Sequence, residues 1–406
     1  MTLPLEVAAV EAARARLEGA VYQTPCPSSP TLSELTGTRC HIKLENLQMT
    51  GSFKERGAAN LLLQLDETER RRGVVAASAG NHGLAVAYHA ARLGIPATIV
   101  IPTYAPLIKA TSARRYGAEV VLHGENYDEA YERARVLQAE GGAVFVHPFD
   151  DARVIAGQGT LGLELLDQVE ALDAVIVPVG GGGLVAGVAL ALKTARPAVR
   201  VIGVQAAATP AMEQALQAGA RVRVPAGATI ADGIAVRQVG AMTFALAAEL
   251  VDDIVLVDEE ELANAVLLLL EIEKTVVEGA GAAPLAALLN RSLGLADRRV
   301  ALILSGGNID VTMLARIIER GLVKDGRLVR LGVVLQDRPG ALARLTGLIA
   351  EERVNILQIE HDRAFSRQAI GGTEVEITLE TSGRTQIELL KERLVVAGYS
   401  VEERGV

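Results

Sequence analysis

The chain has 406 residues, half of them hydrophobic but only 3% aromatic, with 40 glycines and no tryptophan. That length leaves room for roughly two to three domains with real cores, and a small-aliphatic, glycine-rich composition suits close helix-on-sheet packing in an α/β protein. A formal net charge of −9 without a long Lys or Arg run argues against nucleic acid as a partner.

Cys26 and Cys40 cannot build a disulfide framework, and no Cys/His spacing resembles a zinc site. Two buried thiols and no metal are expected. Met1 to Tyr22 carries Glu6, Glu11, Arg14, Arg16 and Glu18 at helical spacing, unlike the apolar core of a signal peptide, which points to the cytosol. Cys40–Glu45 then reads as a strand leading to Lys54. Regular alternation follows: strands Val74–Ala77, Ala97–Ile101, Glu119–Leu122 and Ala143–Val146, with helices Asn81–Leu93, Pro106–Tyr116 and Asn126–Glu140 between them. Such alternation predicts a parallel sheet covered by helices on both faces.

A second round takes the helix Ile155–Gln168, strand Ala174–Pro178, helix Leu184–Ala195 and strand Arg200–Gln205. Strand Asp253–Val257, two helices within Glu259–Leu289 and strand Arg299–Leu304 complete it. Two such rounds predict two α/β lobes with a cofactor cleft between them. Ala174–Leu192 is uncharged and about as long as a bilayer requires, but Pro178 and the glycines after it divide it into strand and helix, so no membrane span is expected. Gly321–Arg327 reads as a linker. The tail then runs strand Leu328–Leu335, helix from Pro339 to Glu352, strands Asn355–His361 and Thr373–Thr381, helix Thr385–Ala397 and strand Tyr399–Glu403. That βαββαβ order is a ferredoxin-like module.

Four loops carry candidate chemistry. In Thr50-Gly51-Ser52-Phe53-Lys54-Glu55-Arg56-Gly57, Ser52 and Glu55 fit a helix capping box, which would make Lys54 an ordinary first-turn residue. The alternative uses the same helix start: its positive end lowers the pKa of an amine, as a nucleophile toward a carbonyl requires. Ser78-Ala79-Gly80-Asn81-His82-Gly83 joins a strand to a helix, with amides facing an anion and Asn81 suited to a phenolic oxygen or carboxylate, or else acting as a cap. Alone, His82 reads as a satisfied, partly buried histidine. Gly180-Gly181-Gly182-Gly183-Leu184 makes a nest of NH groups for phosphate. Gly181, Gly183 and Ala186 also satisfy a loose dinucleotide fingerprint, but Gln205 stands where an acid would meet the ribose, so a monophosphate fits better than a nicotinamide cofactor. Ser305-Gly306-Gly307-Asn308 places a hydroxyl that either meets a ring nitrogen or caps a helix, and Glu278 either faces the cleft or caps its own helix.

A lysine for an imine, an aromatic neighbour, a phosphate cradle and a hydroxyl for a ring nitrogen are what pyridoxal 5′-phosphate requires. By GSFKERGA, SAGNHG, VPVGGGGL, EGAGAA and SGGNID, residues 1 to about 320 resemble the fold type II pyridoxal-phosphate enzymes, and within them the threonine dehydratase branch. The resemblance implies a large lobe (1–45 and 148–320) with a small lobe (about 46–147) inserted in it. It implies that Lys54 is the Schiff-base lysine, with Phe53 against the ring and Asn81 on its 3′ oxygen. Gly180, Gly181, Gly182, Gly183 and Leu184 would hold the phosphate, Ser305 would face the ring nitrogen, and Glu278 would line the site. Ser78, Ala79, Gly80, Asn81 and His82 would hold the substrate carboxylate. A neutral serine at the ring nitrogen favours elimination over transamination.

The implied substrates are L-threonine, giving 2-oxobutanoate and ammonia, and less efficiently L-serine. Related serine racemases carry a serine where this chain has Ala79, and an acid for a divalent cation where it has Gln205, so racemisation and such a metal site are not expected. The tail, residues 328–406, resembles an ACT domain through Asp337, Pro339, Gly340, Ala341 and Leu342 with Asn355 and Ile356. The resemblance implies an amino-acid effector there, isoleucine or valine, and a homotetramer; a purely dimerising module is the competing reading. A serine or threonine racemase of the same fold, or an amino-acid sensor with vestigial enzyme lobes, are the other functions considered.

Overall fold

The computed structural model describes residues 3–104, 107–362 and 372–404. Its strands are β1 Arg39–Lys43, β2 Val74–Ala77, β3 Ala97–Ile101, β4 Glu119–Leu122, β5 Val144–Phe145, β6 Ala174–Pro178, β7 Arg200–Ala206, β8 Asp253–Val257, β9 Arg299–Ile303, β10 Leu328–Gln336, β11 Asn355–Asp362, β12 Gly372–Glu380 and β13 Ser400–Arg404. They form three sheets, ordered β4-β3-β2-β5, β1-β9-β6-β7-β8 and β11-β12-β10-β13. The first two are parallel throughout, as in the registers Val75↔Thr98 and Ile176↔Leu302. Both lie within one compact unit, Met1–Ile309, while Asp310–Val406 is a second.

Every residue of β6 is buried, which is why it reads as a continuous apolar run and not an alternating one. The tail sheet is antiparallel, and its strands do alternate: Val375, Ile377 and Leu379 of β12 join Val329, Leu331, Val333 and Leu335 of β10 in one core. Leu345 and Ile349 of the helix Ala341–Glu351, with Ile387, Leu390 and Leu394 of the helix Arg384–Val396, complete it. This is the ferredoxin-like order expected.

Several helices have no counterpart among the expected elements: Pro30–Thr36, Glu67–Arg72, Ala211–Ala218, Ala241–Leu250 and Val311–Lys324. Two of them are capped from a distance. Asp150 accepts from the amides of Ala241 and Met242 at 2.8 and 2.9 Å, and Gln205 from those of Met212 and Glu213 at 2.9 Å. The last of the five overlaps the expected linker, so Gly321–Lys324 are helical. Pro106, expected to open a helix, lies outside the described residues, and the helix there spans Leu107–Arg115. Pro339 precedes its helix, which starts at Ala341 after the N-cap Gly340. Both cysteines are free, and burial pushes each thiol up to about 12. Among the described residues no helix is long and apolar enough to cross a membrane.

A buried charge cluster ties these elements together. Arg56 holds Glu45 through Nε and Nη2 at 2.8 and 2.7 Å and Glu164 through Nη1 and Nη2 at 2.5 and 2.9 Å, while Lys43 Nζ donates to Glu164 at 2.6 Å. Exposure is 0% for Lys43 and Glu45, 2% for Arg56 and 8% for Glu164, so these charges depend on one another and not on water. Burial pushes the Glu45 carboxyl up, but Arg56 outweighs it and holds the group below its ordinary 4.5. A depressed carboxylate stabilises the fold above its unfolded pKa and loses that contribution as pH falls through the folded value. Urea midpoints from about pH 7 down to about pH 3 should therefore fall in the wild type, and fall less steeply in Glu45→Gln. Equal slopes would mean that Glu45 titrates alike in both states.

Candidate active site

The Lys54 loop is stitched to the loop after β9. Phe53 N donates to Ser305 O at 3.0 Å, Gly307 N to Gly51 O at 2.9 Å, and Asn308 Nδ2 to Thr50 O at 2.8 Å. Gly51 has φ +77°, and a Cβ there would stand 2.8 Å from Asn308 Oδ1, so both the turn and the close approach require glycine. The capping box expected at Ser52 is absent. The helix Lys54–Leu62 starts on Phe53 without a side-chain cap, Ser52 Oγ is buried without a hydrogen-bond partner, and Glu55 Oε1 accepts from Thr50 N.

Lys54 thus occupies the first helical position, where the dipole opposes a cation. Its Nζ donates to Pro148 O at 2.8 Å and stands 5.2 Å from the Phe53 ring centre. Burial is the largest influence on the amine and lowers its pKa to about 8, against the opposing pull of Glu278. That leaves a substantial unprotonated fraction near neutrality, which is what a nucleophile and general base need.

Asn81, Glu278 and Asn308 form one chain across the two sheets' loops. Asn81 Nδ2 donates to Glu278 Oε1 at 2.8 Å, and Asn308 Nδ2 donates to Asn81 Oδ1 at 2.6 Å. Neither Asn81 nor Glu278 caps a helix: Asn81 is the first helical residue after Gly80, and Glu278 makes no cap bond to the helix Gly279–Asn290. Ser305 does not cap one either; it is 2% exposed and no helix begins beside it. In the sequence Asn308 carries no signal of this role, because an asparagine after two glycines looks like any turn.

The glycine loop closes around Phe149. A Cβ at Gly181 would meet the Phe149 ring at 2.3 Å, and one at Gly183 would meet its Cα at 3.0 Å. Gly182 has φ +97° and opens the helix Gly183–Ala195 without a side-chain cap, so the amides of that first turn are left for an anion. Thr243 Oγ1 and Gly240 N both donate to Gly181 O, at 2.7 and 3.4 Å. Gln205, at the end of β7 where a dinucleotide site would need an acid, is engaged within the fold: Nε2 donates to Val179 O at 3.1 Å and Oε1 caps the helix Ala211–Ala218. In the other loop, Ser78 Oγ accepts from Gly80 N at 3.2 Å, and open space faces Gly80. The Ala79 methyl packs against the core around β2 and β3. His82 Nε2 pairs with Val146 O at 2.8 Å, and burial, with Lys54 nearby, lowers its pKa to about 3.

In the tail, Gly340 has φ +85° at the start of its helix, Leu342 and Ile356 pack on the core, and Asn355 Nδ2 donates to Glu380 Oε2 at 3.0 Å.

Residues 17–306 match the family described as pyridoxal-phosphate dependent enzyme, and residues 329–397 match the ACT domain. An L-threonine ammonia-lyase of Thermotoga maritima is 50% identical over 98% of both chains. Among solved structures, the processed form of threonine deaminase isoform 2 from Solanum lycopersicum superposes with a TM-score of 0.74 at 36% identity, covering 77% of this chain and 92% of that one. Maize serine racemase reaches the same TM-score and identity, covering 79% and 98%. With a matched region spanning most of the chain and Lys54 at the meeting point of its loops, the protein belongs to the pyridoxal-phosphate dependent enzyme family and carries a C-terminal ACT domain.

Proposed function

We propose that the chain converts L-threonine to 2-oxobutanoate and ammonia, and more slowly L-serine to pyruvate. The observation that carries this reading is the Lys54 amine, depressed to about 8 where the loops of both parallel sheets meet. The likeness to L-threonine ammonia-lyase over nearly the whole chain supports the substrate.

The residues fit pyridoxal phosphate in their own chemistry: a cradle of glycines that a single Cβ would fill, uncapped amides beside it, and an amine close to neutrality. Gly180 to Leu184 would hold the phosphate, Phe53 would lie against the ring, Asn81, oriented by Glu278, would serve its 3′ oxygen, and Ser305 would serve the ring nitrogen. When bound, the cofactor supplies an electron sink for the charge left at the substrate α-carbon. Lys54 Nζ, unprotonated, takes the α-proton and passes it to the β-hydroxyl, which leaves as water. The substrate carboxylate is held by the loop from Ser78 to His82, chiefly by its backbone amides, since the His82 imidazole is neutral and already bound to Val146. Ala79 offers no proton to the opposite face, which disfavours racemisation. Residues 1–320 carry this chemistry in two lobes, and 328–406 bind an amino-acid effector, isoleucine or valine, through the loop Asp337–Leu342 with Asn355 and Ile356. The assembly is a homotetramer in the cytosol.

The test is the purified full chain with pyridoxal phosphate and L-threonine, followed by 2-oxoacid formation. The rate should rise with pH and level off above about 8, because the amine must lose its proton before it acts. Production of D-amino acid without 2-oxoacid, or no turnover of either substrate, would overturn the reading.

A further inference from the structure

The turn that leaves β5, His147-Pro148-Phe149-Asp150, touches both the Lys54 amine and the glycine loop. Pro148 O accepts from Lys54 Nζ at 2.8 Å. Phe149 fills the space in front of Gly181 and Gly183. Asp150 caps the helix Ala241–Leu250, whose Thr243 in turn holds Gly181 O. What shapes this turn is one atom: His147 Nδ1 accepts from Phe149 N at 3.2 Å and from Asp150 N at 2.8 Å. A ring nitrogen that accepts twice must be unprotonated. Burial supports that state, with Lys54 and Arg135 acting in the same direction and Asp150 and Asp151 opposing it. The imidazole is braced edge-to-face by Phe149, with ring centres 4.7 Å apart, and by Phe145 and Tyr131 at 6.0 and 6.2 Å.

We infer that His147 is a positioning residue: its bare Nδ1 sets the turn that aims the Pro148 carbonyl at the Lys54 amine and seats Phe149 against the phosphate loop. Resting on the assignment of Lys54 made above, this extends that assignment to a residue that touches neither substrate nor cofactor. Without the acceptor at Nδ1, two half-buried amides lose their partner and the turn relaxes. Lys54 then loses its orienting carbonyl at the same moment as the glycine cradle loses its wall. The Pro148 carbonyl and the Phe149 amide belong to one planar peptide unit, so a turn that rotates this unit moves both contacts together.

Asparagine and glutamine separate this role from simple space filling. Asn places its Oδ1 where Nδ1 stands and accepts from amides two and three residues on, as in an Asx-turn. Gln is as large and as neutral, but its oxygen lies one bond further out. Full-length apoprotein of the wild type, His147→Asn, His147→Gln and Lys54→Met should be titrated with pyridoxal 5′-phosphate, following the visible absorption band and its rate of appearance, with Tm as a check on folding. The expected result is wild-type-like affinity and rate for His147→Asn, within about threefold, and a loss of at least about tenfold in both for His147→Gln, the scale of two lost hydrogen bonds. Pyridoxal, which lacks the phosphate, should show the rate loss in His147→Gln as well, because the amine is misaimed whether or not the cradle is engaged. Equal behaviour of His147→Asn and His147→Gln would overturn the positioning role while leaving Lys54 intact. If instead Lys54→Met gave the same band as the wild type, the assignment of Lys54 would fall, and this inference with it.

Discussion

Replacing Lys54 by methionine is expected to lower kcat with L-threonine by at least about a thousandfold, because the amine serves both as nucleophile and as general base. The fold should survive, and at neutral pH it should become more stable. The sign follows from the depressed pKa. A lysine at about 8 in the folded chain, below its ordinary 10.5, is charged at a cost in the native state at pH 7. As pH rises from about 8 to about 10 the unfolded chain binds more protons than the folded one, so the wild type gains stability over that range and the variant does not. Thermal unfolding of both proteins at about pH 7 and about pH 10 measures this directly; a gap that fails to narrow would mean the amine is not desolvated. Lys54→Arg serves as the control for charge: its guanidinium keeps the proton at every working pH, so it too should be inactive. An active arginine variant would show that another group removes the α-proton.

The largest loss of stability is expected from Arg56→Ala. This change strands Glu45 and Glu164, exposed by 0% and 8%, without their shared cation. Breaking a buried pair from one side costs roughly 3–5 kcal/mol, which for a unit of this size lowers Tm by about 10 °C. Cofactor binding should weaken too, since Arg56 lies two residues from Lys54 and anchors the start of its helix against the helix Ala152–Gln168. Scanning calorimetry decides the matter. A loss under about 1 kcal/mol would show that water reaches the cluster, whereas a large loss recovered by apolar replacement of all four residues, Lys43 included, would show that the pairing sets geometry more than stability.

Arg56 also marks the limit of what local pattern can reveal. It stood in plain view beside Lys54, yet nothing in its neighbourhood distinguishes a solvated arginine from one sealed between two carboxylates. Its partner Glu164 is 108 residues away. The capping box at Ser52 and Glu55 failed for a related reason. The spacing was correct, but Phe53 is fastened to Ser305 and Glu55 to Thr50, which turns Ser52 away from the role its position suggests. Missed helices such as Ala211–Ala218 and Ala241–Leu250 take their N-terminal caps from Gln205 and Asp150, so their start signals are not contiguous with them. By contrast β6 and the glycine turn that opens the helix Gly183–Ala195 were legible, because a buried parallel strand and a glycine run are each specified by consecutive residues.

The sequence by itself determined the order of the strands, the change to an antiparallel module after residue 328, and the segments that carry Lys54, Asn81, the glycines and Ser305. These rest on hydrophobic period and backbone freedom, which act over a few neighbouring residues. Only the tertiary structure decided that Asn308 joins Asn81 to the Lys54 loop, that Glu278 serves Asn81 and not its own helix, and that Pro148 receives the lysine amine. Each of these is a hydrogen bond between loops brought together by two sheets. Their partners lie between 94 and 258 residues apart in the chain, so no local pattern of residues encodes them.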